Sequence, residues 1–287
     1  MAKASAASGE RNFAKSVSYG LLFGAAFLAS ILVYKEAFIL LLAVATAAGS
    51  WELSTALRSA GWYVPRVPVT IGSLIIMPAT YFGGPVWQWI VTAAMIVALT
   101  IWRAVHLLWE RRESIEHSFM KSLRDFSAAA FVVIYVPLMC SFAILLLRRV
   151  PDGAAWVILF VVTTAFIDTF GYLVGRKLGK HKIAPGVSPK KTLEGLLASI
   201  TAGVVASVSI MVLVLHQPWW WGVIVAAFVI VTAVFGDLAE SLIKRDLGVK
   251  DMSSMLPGHG GVMDRLDSML PSALVVYIIA TSFFPLA

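Results

Sequence analysis

Residues 241–267 read SLIKRDLGVKDMSSMLPGHGGVMDRLD, with four Asp, four Gly, two Lys, two Arg and one His in 27 positions. Apolar runs flank this stretch on both sides, at 218–240 and 269–286, and each is long enough to cross a bilayer as a helix. A charged, glycine-bearing insert between two such runs is a loop at a membrane face. The whole chain agrees. Of its 287 residues 59% are hydrophobic and 14% charged, against roughly 25% charged in a soluble domain, and mean hydropathy is +0.85. A soluble core cannot use so much apolar surface. The strand alternation of a β-barrel is absent, so the chain reads as an all-α integral membrane protein whose backbone polar groups are satisfied within helices.

Nine apolar runs have spanning length: 15–34, 36–57, 68–84, 86–105, 125–147, 154–175, 193–215, 218–240 and 269–286. Their boundaries carry turn punctuation, including YKE, the GGP at 83–85, RRVPDG and HQP. With these spans, twenty of the 23 Lys and Arg fall on the side of the amino terminus. Only Lys35, Arg148 and Arg149 fall opposite. Basic residues stay cytoplasmic, which predicts a cytoplasmic amino terminus, an outside carboxyl terminus, and Trp219, Trp220 and Trp221 at the outer interface. The +7 net charge is then concentrated on the inner face. Topology explains most of it, including Arg111, Arg112, Glu110 and Glu113, which read as a solvated face.

The opening MAKASAASGERNFAKS is small, polar and basic, and the apolar run after it lacks a cleavage pattern, so it predicts a loose tail (1–14) and an anchor helix. Helices over 15–150 form an amino-terminal region, and 151–287 hold the chemistry. Cys140, the sole cysteine, excludes an intrachain disulfide and a Cys-based zinc site, and reads as a small buried hydrophobe.

Ionisable residues inside spans are costly unless they face a partner or polar interior. Asp168 and Asp237 stand out, each near the cytoplasmic end of its helix, with snorkelling or a single salt bridge as the plainer alternative. Asp237, Glu240, Ser241 and Lys244 follow i, i+3, i+4, i+7 and form one helical stripe. Asp264 and Asp267, three apart with Arg265 adjacent, begin the next helix, where a carboxylate also serves as a cap. Two helices that bring carboxylates together suit an oxygen-ligated hard cation, Mg²⁺ above others. Between them Gly258, His259, Gly260 and Gly261 suggest a backbone anion nest flanked by Lys244, Arg245, Lys250 and Arg265. A second basic segment, Gly175–Gly195, places Ser188, Lys190 and Lys191 in a turn that feeds a helix; by charge alone it is a positive-inside anchor. Acids for a metal beside cations for phosphate are the equipment of phosphoryl or nucleotidyl transfer. No P-loop, HExxH or Rossmann motif is present.

These residues resemble the phosphatidate cytidylyltransferases, or CDP-diacylglycerol synthases. That family's signature is a Ser, then Lys-Arg, Lys-Asp, His-Gly-Gly and Asp-Arg-x-Asp. Here Ser241, Lys244-Arg245, Lys250-Asp251, His259-Gly260-Gly261 and Asp264-Arg265-x-Asp267 stand at matching spacings. DTFGYLVGRKLGKHKIAPGVSPKKTLEG resembles a second family segment, and the likeness spans about 160–287. It implies transfer of CMP from CTP to phosphatidic acid, giving CDP-diacylglycerol and pyrophosphate. It implies dependence on Mg²⁺, one ion or two, a polar intramembrane cavity open to the cytoplasm, and a homodimer in a bacterial inner membrane. No nucleic acid is implied as partner. Carried over, Asp237 and Asp264 are expected to hold the metal and, with Lys244 and Arg265, to act in catalysis. Ser188, Lys190, Lys191, Ser241, Arg245, Lys250, His259, Gly260, Gly261, Asp168 and Asp267 are expected to bind substrate.

Two rivals stay open from the residues alone. A CTP-using lipid kinase would transfer the gamma phosphate and release CDP. A cation-coupled transporter would also hold intramembrane Asp, though no inverted repeat of broken spans is visible.

Overall fold

The computed structural model describes residues 24, 27–109, 115–184, 188–249, 251–253, 255 and 260–285. Lys250 and His259, both expected at the site, lie outside the described residues, as do Gly258, the 110–113 charges, the 1–14 tail and most of the 15–34 run. Ser188 and Lys190 are described by their backbone only.

Helices dominate because every span lacks water to satisfy its amides. In chain order they are α1 (Lys35–Ser59), α2 (Arg66–Trp109), α3 (Ile115–Val133), α4 (Met139–Leu147), α5 (Gly153–Leu178), α6 (Leu193–Leu213), α7 (Trp219–Asp246), α8 (Met263–Leu266) and α9 (Met269–Phe283). A π-helical turn, Ile134–Leu138, joins α3 to α4 and contains Pro137, whose missing N–H removes one ordinary helical bond. Among the described residues seven helical segments are long and apolar enough to span a bilayer. One of them covers 41 residues, about 60 Å at 1.5 Å per residue, twice the hydrocarbon thickness. It breaks at Gly84, whose φ of 71° and ψ of −159° are not helical. That break falls where the GGP punctuation divides 68–84 from 86–105.

Within the helical architecture one local reading needs correction. Residues read as a turn before α6 form an antiparallel hairpin, β1 (Lys182–Ala184) with β2 (Ser188–Thr192). A five-residue strand rich in Lys and Pro has no alternation to betray it. Thr192 then caps α6, its Oγ1 accepting the Gly195 N–H at 3.2 Å.

Helix α9 packs against α4, α5 and α7, while α5 lies along α6 and α6 along α7. Small residues permit this close approach. A Cβ on Gly195 would stand 2.8 Å from the Gly171 carbonyl oxygen, and one on Gly222 2.6 Å from Val208 Cα. Hydroxyls lock the same seams: Ser199 Oγ donates to Ile167 O at 2.7 Å and Ser207 Oγ to Gly222 O at 2.8 Å. Phe38, Leu53, Ile76, Ile144, Trp156, Leu159, Val229 and Val276 fill the interior, whereas Trp87, Trp89, Ile101 and Phe228 are exposed, as lipid-facing side chains are.

The bundle has two chemically distinct ends. At one, Arg149 donates to the carbonyls of Ala280 (3.1 Å) and Phe284 (2.7 Å) and pairs with Asp152 at 3.2 Å. Trp221 meets the Phe283 ring at a tilt and the Phe284 ring edge-on there. The end of α1, the β-hairpin, the end of α7 and α8 share the other.

Candidate active site

Helix α7 presents the predicted stripe. Its last turns carry Asp237, Glu240, Ser241, Lys244 and Arg245, and Glu240 is only 1% exposed. A buried carboxylate needs a compensating charge, and Lys244 supplies it: Nζ donates to Glu240 Oε2 at 2.6 Å. The same ammonium donates to Asp264 Oδ1 at 2.7 Å, so one lysine ties α7 to α8.

Asp264 is held from its other oxygen as well. Oδ2 accepts the N–H of Gly261 at 2.7 Å and of Met252 at 3.2 Å. Gly260, at φ +79°, makes the turn that allows this, and a Cβ there would stand 2.9 Å from Asp264 Oδ2. The expected anion nest is therefore closed at Gly261, because its amide already serves a carboxylate. Sequence could suggest which amides cluster, but not which acceptor reaches them first.

Asp267 follows α8 and is 6% exposed. The Ser268 N–H donates to its Oδ1 at 2.7 Å, and Glu240 lies in its electrostatic neighbourhood. Gly236 makes the approach possible, since a Cβ there would collide with the Asp267 carbonyl oxygen. Asp168, exposed on α5, stands in the electrostatic neighbourhood of Asp267, Lys191 and Arg265 with Ser268 beside it. Lys191 on β2 forms an ion pair with Asp237. Burial pulls its ammonium below the ordinary lysine value, against the opposing pull of Asp168 and Asp267. The two predicted segments thus meet: hairpin, α5, α7 and α8 contribute to one acidic cluster. Arg245 and Arg265 are exposed at its edge, and Ser241 is half-buried one residue from Glu240.

Two contributors stand outside the predicted segments. Glu52, near the end of α1 and 2% exposed, accepts the N–H of Val262 at 3.0 Å on Oε1 and that of Met263 at 2.8 Å on Oε2. Ser253 Oγ donates to the same Oε1. Its signal was available: a carboxylate in an apolar run. The Tyr135 hydroxyl, buried and without a partner among the described residues, lies within electrostatic range of Asp267 and Glu240. The π-turn that places it has no sequence period to reveal it, though such turns recur at functional sites.

The expected metal carboxylates, Asp237 and Asp264, belong to no ready-made ligand set. Among the described residues no three His, Cys, Asp or Glu gather closely enough to hold an ion. Asp237 instead meets Lys191, and Asp264 meets Lys244. Carboxylate oxygens are nonetheless the donor type that a small hard cation takes. Such an ion needs one or two carboxylates and completes its shell with phosphate oxygens and water. Glu240 Oε1 is also buried with no hydrogen-bond partner among the described residues, one acceptor the cluster leaves unfilled.

Comparison with known proteins follows this geometry. Residues 15–283 match the cytidylyltransferase family. The chain is 34% identical over 278 residues to a phosphatidate cytidylyltransferase of Mycobacterium bovis, covering 94% of this chain and 89% of that protein. It is 36% identical over 276 residues to the Mycobacterium leprae protein of the same name, covering 94% and 88%. A Thermotoga maritima phosphatidate cytidylyltransferase is 38% identical over 160 residues, 53% of this chain and 58% of that protein.

Proposed function

The chain belongs to the cytidylyltransferase family, and we propose from that premise that it transfers CMP from CTP to phosphatidic acid, releasing pyrophosphate and leaving CDP-diacylglycerol. The end-to-end likeness to proteins named phosphatidate cytidylyltransferase carries this reading. The gathering of Asp237, Glu240, Asp264 and Asp267 with Lys191 and Lys244 at one end of the bundle supports it.

The reaction makes modest demands on a base. A phosphate monoester is already anionic at neutral pH, so its oxygen can attack the alpha phosphorus of CTP without prior deprotonation. What remains is positioning and charge neutralisation. Lys191 and Lys244, now paired with carboxylates, are placed to exchange those partners for phosphate oxygens. Arg245 and Arg265 at the edge would receive the triphosphate. Asp237 and Asp264 would hold Mg²⁺, which, when bound, would offset charge on the reacting phosphates. Glu240 and Asp267 would keep that corner negative, and Asp168 would face the entering head group. Ser188, Lys190, Lys250 and His259 complete the proposed substrate contacts on family resemblance alone.

Nine crossings, a cytoplasmic site within a polar cavity, a bacterial inner-membrane location and a homodimer also belong to this proposal. Relative sidedness supports the first two: the ends of α1, α5 and α7, expected on the cytoplasmic side, lie together. Arg148, Arg149 and the Trp219–Trp221 group lie at the opposite end.

The test uses purified full-length protein in detergent with phosphatidic acid and alpha-labelled CTP, with and without Mg²⁺ and after chelation. Label should enter lipid only with divalent metal, and Asp264→Asn should lower the rate by about 10²-fold or more. Release of CDP with label left out of the lipid would point to a kinase instead and sink the assignment.

A further inference from the structure

The amino-terminal helices contain a carboxylate that reaches the signature loop itself. Glu52 lies about two hundred residues upstream in α1, yet it accepts two consecutive backbone amides, Val262 and Met263, and the Ser253 hydroxyl. Met263 begins α8, and Asp264 is the next residue. Fixing those two peptides fixes the Cα–Cβ direction of Asp264. Asp264 then closes back on the Gly261 and Met252 amides and forward on Lys244. The contact is tight: a Cβ on Gly261 would stand 2.5 Å from Glu52 Oε2, so glycine there admits the carboxylate to the backbone.

We propose that Glu52 is a positioning residue for nucleotidyl transfer, clamping Ser253, Val262 and Met263 to α1 and thereby setting the orientation of Asp264 toward Lys244 and the reacting phosphates. This rests on the reading of Asp264 as a catalytic group. A capping acid would need only the free amides of a helix start. Glu52 in addition holds the Ser253 hydroxyl, so backbone at 262–263 and a side chain nine residues earlier are drawn to one buried carboxylate. Amino-terminal and carboxyl-terminal regions are joined in this way at the site, beyond their apolar packing.

Three variants of the full-length protein test it: Glu52→Gln, Glu52→Asp and Ser253→Ala. The amide of Gln keeps the volume but turns one acceptor into a donor opposite a backbone N–H. The expected result for Glu52→Gln is a fall in kcat of about 10²-fold, the scale of a misplaced catalytic group, with KM for CTP changed less than threefold. Melting temperature in detergent should remain close to the parent's, and hydrogen exchange should rise at 251–264 but not in α5 or α7. Ser253→Ala should move the same parameters in the same direction by several-fold, and Glu52→Asp should recover part of the loss. Wild-type kcat in Glu52→Gln and Ser253→Ala would overturn the inference. So would a loss matched by a general fall in melting temperature and raised exchange throughout, which would make Glu52 a stability residue. If Glu52→Gln does not fold, the outcome rests on Glu52→Asp and Ser253→Ala by the same criteria. Wild-type protein and Asp264→Asn run alongside. Inactive wild type, or an Asp264→Asn as active as its parent, counts against the assigned function or site; an active wild type, a dead Asp264→Asn and unaltered Glu52 variants count against the positioning role alone.

Discussion

Lys244 and Glu52 solve the same physical problem in different ways. A charge taken out of water must be returned several favourable contacts. Lys244 meets two carboxylates, Glu240 and Asp264, across two helices, and Glu52 meets three hydrogen-bond donors from one loop. The Lys244 arrangement is fragile to truncation. Lys244→Ala would leave Glu240 and Asp264 facing each other without their shared cation, at a cost of about 3–5 kcal/mol. A lowered melting temperature together with loss of CMP transfer is expected; an unchanged melting temperature would show that Glu240 takes up a proton or another cation at little cost. At this scale the sequence was legible wherever partners sit on one helix. The spacing of Asp237, Glu240, Ser241 and Lys244 predicts their shared stripe, and Lys244 does meet Glu240. For Glu52 the buried acid was signalled by its place in an apolar run, but its partners were illegible, lying two hundred residues on and being mostly backbone amides that any sequence offers.

Elements meet at this site because glycines let them. Gly236 faces the Asp267 carbonyl so closely that no side chain fits, and α7 and the start of α9 approach there. Gly236→Ala should push the two apart, costing about 1–3 kcal/mol from overpacking and lowering turnover because Glu240 and Asp267 separate. Thermal melting and initial rates on the same sample check both parts. By contrast a Cβ on Gly248, whose φ is +69°, meets open space. Gly248→Ala therefore tests backbone strain alone and is expected to cost less turnover than Gly236→Ala. Among the elements, spans with strong apolar runs were predictable from length, and the GGP break coincides with the kink at Gly84. The β1–β2 hairpin was not, since its strands are too short and too charged for a periodic signal.

Across the molecule, chemistry and anchoring occupy opposite ends. Arg149 ties the α9 terminus to the loop before α5 through two carbonyls and Asp152, and its guanidinium lies over Trp156. Removing it by Arg149→Met should lower the melting temperature while leaving KM for CTP unchanged, since no acid of the cluster is near it. The proposed orientation has its own check. Cys140 is buried, so a Cys140→Ala background carrying a single cysteine at Asp246 or at Val150, both exposed, reports each end to a membrane-impermeant thiol reagent. In sealed right-side-out vesicles Val150→Cys should label and Asp246→Cys should not; the reverse pattern would invert the topology.

Sequence by itself determined the apolar, helical character of this protein, the positions of its main apolar segments and the family its signature belongs to. These follow from composition and local spacing, which survive without knowledge of any contact. Only the tertiary structure decided which carboxylate each lysine meets, that the Gly261 amide is already taken, and that α1 reaches the loop through Glu52. Those outcomes depend on helices distant in the chain packing within hydrogen-bonding distance, and no local pattern encodes which of several acids arrives.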